Sequence, residues 1–144
     1  MKTFVLTVSE YFPKTHSKSG QPTGFPLAIK HCEKIHTIRG NYELWAKRIK
    51  QVEDGKAVLS IRVWSGKPYN SKQVEIFRYD NTWGVGIQKL ENFRSHLAPT
   101  IGGNYFDWMD VAKNDGLSFE DFYEWFNYAK DEPMAVIHFT KFRY

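Results

Sequence analysis

The chain has 144 residues, 42% of them hydrophobic and 17% aromatic, and a formal net charge of +4; that suits one domain with a packed core and excludes an intrinsically disordered chain. No apolar run approaches the ~20 residues that span a bilayer, and "MKTFVLTVSE" lacks the long apolar stretch and cleavage site of a signal peptide, so the expectation is a single cytoplasmic domain over 1–144 without membrane attachment. Charge is uneven: residues 1–50 hold nine Lys/Arg against three Asp/Glu, and residues 101–144 hold four against eight, a polarity that suits a phosphate-bearing partner.

In chain order, "KTFVLTVSEYF" alternates as a strand, with Phe4, Leu6 and Val8 on one face. The proline- and glycine-bearing stretch from Phe12 to Pro26 is a long loop. "LAIKHCEK" predicts a short helix and "IHTIR" a short strand. "NYELWAKRIKQVEDG" predicts a helix capped by Asn41 and stopped at Gly55. Strands follow in "KAVLSIRVW", "QVEIFRY" and "VGIQKLENF", separated by turn-rich segments. After a break from Pro99 to Asn104, "YFDWMDVAKNDG" predicts a helix ending near Gly116. "LSFEDFYEWFNYAK" is the clearest helix: Ser118 caps it, Asp121 completes a capping-box-like pair, and Phe119, Phe122, Tyr123 and Phe126 form an apolar stripe. "MAVIHFTKF" predicts a buried strand holding His138 as a satisfied core histidine. About six strands and four short helices without βαβ alternation predict an α+β fold, a small and mostly antiparallel β-barrel with helices around it.

Cys32 is the only cysteine, so no intrachain disulfide forms, and its expected role is that of a small buried hydrophobe. The histidines show no zinc-ligand spacing, and neither a metal nor another cofactor is expected. The stretch "EKIHTIRG" draws most attention. Side chains two apart on a strand share a face, so Thr37 and Arg39 point one way and His36 and Ile38 the other. Lys34 stands just before the strand, with a stem long enough to curl toward Thr37. A lysine near a fixed cation and partly desolvated becomes a base, which a threonine hydroxyl needs to act as a nucleophile. Arg39 suits a phosphate or a developing oxyanion. Spacing alone favours a solvated strand edge.

"EKIHTIRG" resembles the Lys-x-x-Thr-x-Arg signature of ASCH (activating signal cointegrator homology) domains, in the PUA-like superfamily. "DGKAVLSIRVW" looks like the family's barrel strands, "AKNDGLSFEDFYEWF" like its acidic loop and late helix, and "MAVIHFTKF" like its closing strand, so the likeness runs over essentially the whole chain. The resemblance implies a small β-barrel with a cleft that binds RNA or a modified nucleotide or nucleoside. One branch, the bacterial acetylcytidine amidohydrolases, uses a lysine as proton acceptor, a threonine as nucleophile and a glutamate as proton donor. Carried over, these fall on Lys34, Thr37 and most nearly Asp115, with Asp110 and Glu120 as the other carboxylates in range. Asp115 is a methylene shorter than glutamate, and the chain carries extra residues from Phe12 to Pro26 and around Lys67 to Trp83. If the cleft binds RNA, Lys34, Arg39, Arg62 and the loop residues Lys14, His16 and Lys18 are the expected phosphate contacts, and Trp64 or Tyr69 is the expected stacking residue, with Trp64 the better candidate because it falls on the Arg62 face.

Overall fold

Parallel pairing brings the first strand against a strand fifty residues further on. In the computed structural model, which describes residues 1–127 and 129–144, β1 (Lys2–Thr7) runs beside β3 (Ala57–Trp64), with Lys2 opposite Ala57 and Thr7 opposite Arg62. Parallel partners need a crossover of a dozen or more residues. The intervening chain supplies it with α1 (Phe25–Lys30), β2 (His36–Arg39) and α2 (Tyr42–Glu53). β4 (Gln73–Tyr79) then pairs antiparallel to β3 and completes a three-stranded sheet.

The second sheet has four strands, ordered β2, β7 (Met134–His138), β5 (Gly86–Glu91) and β6 (Thr100–Ile101). All five residues of β7 are buried, as its unbroken apolar sequence requires of a strand paired on both edges. Its neighbours run antiparallel to it, with His36 and Gly86 both opposite His138. Among the described residues the ladders form two open sheets, so the structure gives the expected mixed α and β content without closing one barrel. Seven strands appear among the described residues against about six expected, the extra one being two-residue β6.

α2 carries Ile49 and Val52, both fully buried, and touches strands of both sheets, which ties them together. It begins where Asn41 accepts a hydrogen bond from the Leu44 amide at 3.4 Å. Two short helices lie between β6 and β7: α3 (Trp108–Asn114) and α4 (Phe119–Trp125). Ser118 caps α4, its hydroxyl accepting from the Asp121 amide at 3.1 Å. The Asp121 carboxylate does not close a reciprocal box; it takes the Lys18 ammonium at 2.7 Å. α4 ends at Trp125 rather than Lys130, and Tyr128, inside the expected helix, lies outside the described residues. Of the expected apolar stripe, Phe122 is in the core, whereas Tyr123 is 62% exposed. The inward place near α4's end goes instead to Trp125, whose ring packs on Phe12 and Phe25. No helix among the described residues is long and apolar enough to cross a membrane.

The loop from Ser9 to Gly24 is not loose. The His16 ring accepts the Lys18 amide at Nδ1 (3.0 Å), so its hydrogen sits on Nε2, which donates to the Asp121 carbonyl at 3.1 Å. Ser17 binds Glu124 through both its amide and its hydroxyl. The loop is therefore latched to α4, whose Trp125 packs on Phe12 and His16 of the loop.

Candidate functional site

The residue before β2 is placed by backbone. After α1 the amides of Glu33 and Lys34 both return to the Ala28 carbonyl, and the Ile35 amide donates to the Asn114 carbonyl at 2.9 Å. That last bond fastens the end of α3 beside β2. Gly116 then turns the chain at φ +83°, and a Cβ there would come 3.2 Å from the Lys34 Cβ. A glycine is what allows Asp115 to lie against Lys34 at this crossing.

Lys34 is 2% exposed. Its Nζ donates to the Asp115 carbonyl at 2.8 Å and to Asp115 Oδ1 at 3.0 Å, and lies 4.2 Å from the centre of the Phe25 ring. Asp115, equally buried, also receives His36 Nδ1 on Oδ1 at 3.3 Å. His36 Nε2 in turn accepts the Tyr144 hydroxyl at 2.6 Å, and that hydroxyl takes the Asn114 amide at 3.1 Å. The polar chain thus runs Tyr144, His36, Asp115, Lys34, with every member partnered, the condition for burying such groups without a large penalty.

Burial pulls Lys34 below the ordinary lysine value, with Arg39 adding to the effect and Asp115 opposing it. Burial alone would raise Asp115, but Lys34 and His36 outweigh it and hold the carboxyl below its usual range. Asp115 is therefore the ionised partner and Lys34 the group whose proton is easier than usual to remove.

These residues open onto one cavity of about 260 Å³, lined among others by Lys34, Thr37, Arg39, Asp115, Phe25 and Trp125. The strand-parity expectation holds for Thr37 and Arg39, while Ile38 also reaches the wall. Arg39 is partly buried and donates to the Thr7 carbonyl of β1. It forms no ion pair among the described residues. Of the three carboxylates left open by sequence, Asp115 lines the cavity, whereas Asp110 and Glu120 sit exposed in the first turns of their helices.

The other expected contacts are dispersed. Lys14 and Trp64 line an adjoining groove. His16 and Lys18 are engaged with α4. Arg62 turns along the first sheet, where its Nε donates to the Ser60 hydroxyl at 2.9 Å and Nη1 meets Gln73 at 3.5 Å. Ligand atoms of His16, Asp121 and Glu124 lie within 4.8 Å of one another, but the Nε2 hydrogen is spent on a carbonyl and Lys18 already neutralises Asp121, so this trio is a latch. Cys32 is exposed rather than buried: it sits at φ +57° in the turn after α1 and is not among the residues lining the cavity.

His36 and Tyr144 are the members that sequence reasoning missed. Alternation correctly turns His36 away from Thr37, yet Asp115 bonds His36 and also lines the cavity with Thr37. Nothing in the sequence marks Tyr144. Comparison with known proteins adds no family to this geometry: no family model, no curated protein and no solved structure matches the chain.

Proposed function

We propose that the chain is an ASCH-type, PUA-like domain whose cleft binds one nucleobase-bearing unit, a modified nucleoside or a nucleotide of an RNA, through Lys34, Thr37 and Arg39. In this reading the two open sheets correspond to the two sides of the family's barrel. The observation that carries it is the convergence of all three signature residues, with Asp115, on a single cavity of about 260 Å³. That size falls just below the ~300 Å³ at which small-molecule pockets begin and suits one nucleoside rather than a duplex. The aromatic walls, Phe25 and Trp125, supply apolar surface for a ring, and Arg39 supplies a cation with no carboxylate partner among the described residues.

Thermal-shift screening against nucleosides, N4-acetylcytidine, nucleotides and short RNAs tests the reading. A ligand at 100 times its dissociation constant adds ~2.7 kcal/mol of stability. Ser9 is exposed on the cavity rim, so Ser9→Trp should block the cleft while changing stability by no more than ~0.5 kcal/mol. Stabilisation by a nucleoside, lost in that variant, is the expected result. Undiminished stabilisation of Ser9→Trp, or none by any of these compounds, would contradict it.

A second reading, hydrolysis of an acetylated cytidine, is favoured by the presence of Lys34 and Thr37 in the same cavity. Lys34, once deprotonated, would take the Thr37 proton as the hydroxyl attacks the acyl carbon and would pass it to the cytosine amine as the C–N bond breaks; water would then hydrolyse the acetyl-threonine ester and release acetate. The ionised state of Asp115 makes it the group that positions Lys34 rather than a proton donor. Thr37→Val should then bind N4-acetylcytidine within about tenfold of the parent affinity while releasing no acetate, since the hydroxyl acts only in the transition state.

A further inference from the structure

Beyond Arg39 the cleft does not end. A second groove of about 500 Å³ shares Val8, Ser9 and Arg39 with the first cavity, and its lining includes Trp64 and Tyr69. The two aromatic rings lie 5.2 Å apart, centre to centre. Tyr69 is 87% exposed and sits at φ +66°, a backbone conformation that an ordinary side chain adopts at a cost. The arrangement holds a large aromatic surface open to solvent beside the groove instead of folding it into the core.

Charge along the path is ordered. In the first cavity Lys34 and Asp115 neutralise each other. In the groove Lys14 and Glu10 are both present, one of each sign. Arg39 stands where the two spaces meet and, among the described residues, has no carboxylate partner; its one protein acceptor is the neutral Thr7 carbonyl. A ligand that fits this pattern has an aromatic ring in each space and one negative charge between them.

We propose that the groove is a second subsite, and that the ligand is a dinucleotide segment: one nucleoside in the Lys34–Thr37 cavity, the bridging phosphate on Arg39, and the neighbouring base against Trp64 and Tyr69. The inference rests on the nucleoside-binding reading of the first cavity and sets its ligand class as single-stranded and at least two residues long. Aromatic surfaces take any base by its face, so the second subsite is tolerant of base identity.

The test compares dissociation constants, by calorimetry at fixed salt, for the four nucleosides, the four nucleoside monophosphates and the sixteen dinucleoside monophosphates. At least one dinucleoside monophosphate should bind about tenfold or more tightly than its component nucleosides and nucleotides, the gain that one stacked base and one phosphate contact supply. Tyr69→Ala, at an exposed position, should remove most of that gain and leave nucleoside affinity unchanged; Trp64→Ala should do the same, with thermal melting confirming its fold. Equal affinity for nucleosides and dinucleoside monophosphates, or a gain untouched in both variants, overturns the second subsite and leaves the first reading standing. Absence of binding by every compound removes both.

Discussion

Replacing Lys34 with methionine should destabilise the protein by about 3–5 kcal/mol at neutral pH, the cost of leaving a buried carboxylate without its partner. The size follows from the surroundings. Lys34 and Asp115 are both buried, so solvent does not screen the pair, and the Lys34 ammonium also serves the Asp115 carbonyl. Asp115 would keep only His36. Removing both charges in Lys34→Met/Asp115→Leu should recover part of the loss but not all, because His36 Nδ1 would then be a buried donor without an acceptor, worth about 1–3 kcal/mol. Urea denaturation of the three proteins measures these differences. The pH profile supplies a sign. In the parent, the depressed Asp115 contributes stability that is present above its ordinary value of 3.8 and lost as the pH falls below it. In Lys34→Met the same carboxyl, raised by burial, is lost as the pH rises, so the variant should approach the parent's stability in acid. A single-variant cost below about 1 kcal/mol would mean that the pair behaves as a hydrated one.

Acid should destabilise the fold well before the carboxylates titrate, and His138 is the reason. Burial, followed by the neighbouring His36 and Arg143, pushes His138 from 6.5 down to about 3. Its Nε2 donates to Gln88 Oε1 at 2.9 Å, and its buried Nδ1 has no partner among the described residues. The sequence expectation of a satisfied core histidine is thus met at one nitrogen. A group with a depressed folded value stabilises above its unfolded value and loses that contribution as the pH falls toward the folded one. The window is therefore pH 6.5 down to about 3. At 1.36 kcal/mol per unit, lowering the pH from 7.5 to 4.5 should cost about 3 kcal/mol through this residue. His138→Leu should show a profile flatter by that amount, with stability at pH 7.5 within about 1 kcal/mol of the parent because Gln88 Oε1 still accepts the Tyr144 amide. Parallel profiles for the two proteins would show that His138 titrates as a solvated histidine.

Local signals in the sequence carried far. The helix read over residues 41–55 is α2, Tyr42–Glu53, with Asn41 at its start, because capping and 3.6-residue periodicity are properties of the segment itself. Ser118 caps α4 for the same reason. Long-range pairing left no such trace. The parallel match of β1 to β3 depends on everything between them, and β6 is too short to carry a pattern. Trp64 and Arg62 share a face by parity, yet their side chains part: Arg62 turns to Ser60 and Gln73, Trp64 to the groove beside Arg39. The acid of the site was one of three carboxylates until the Ile35–Asn114 backbone bond put Asp115 next to Lys34. Tyr123 shows the reverse failure, for helical spacing placed it inward while the turn of so short a helix leaves it in solvent.

Backbone amide NMR of the parent protein, titrated with cytidine, N4-acetylcytidine and a dinucleoside monophosphate, tests the central reading most directly, since it locates a ligand without relying on turnover. Shifts that saturate and cluster on Ser9, Thr37, Arg39, Gly40, Leu117 and Trp125, residues lining one cavity, are the expected result, with Tyr69 joining them only for the dinucleoside monophosphate. Shifts confined to another surface, or none with any of the three compounds, would contradict a nucleoside-binding cleft built on Lys34, Thr37 and Arg39.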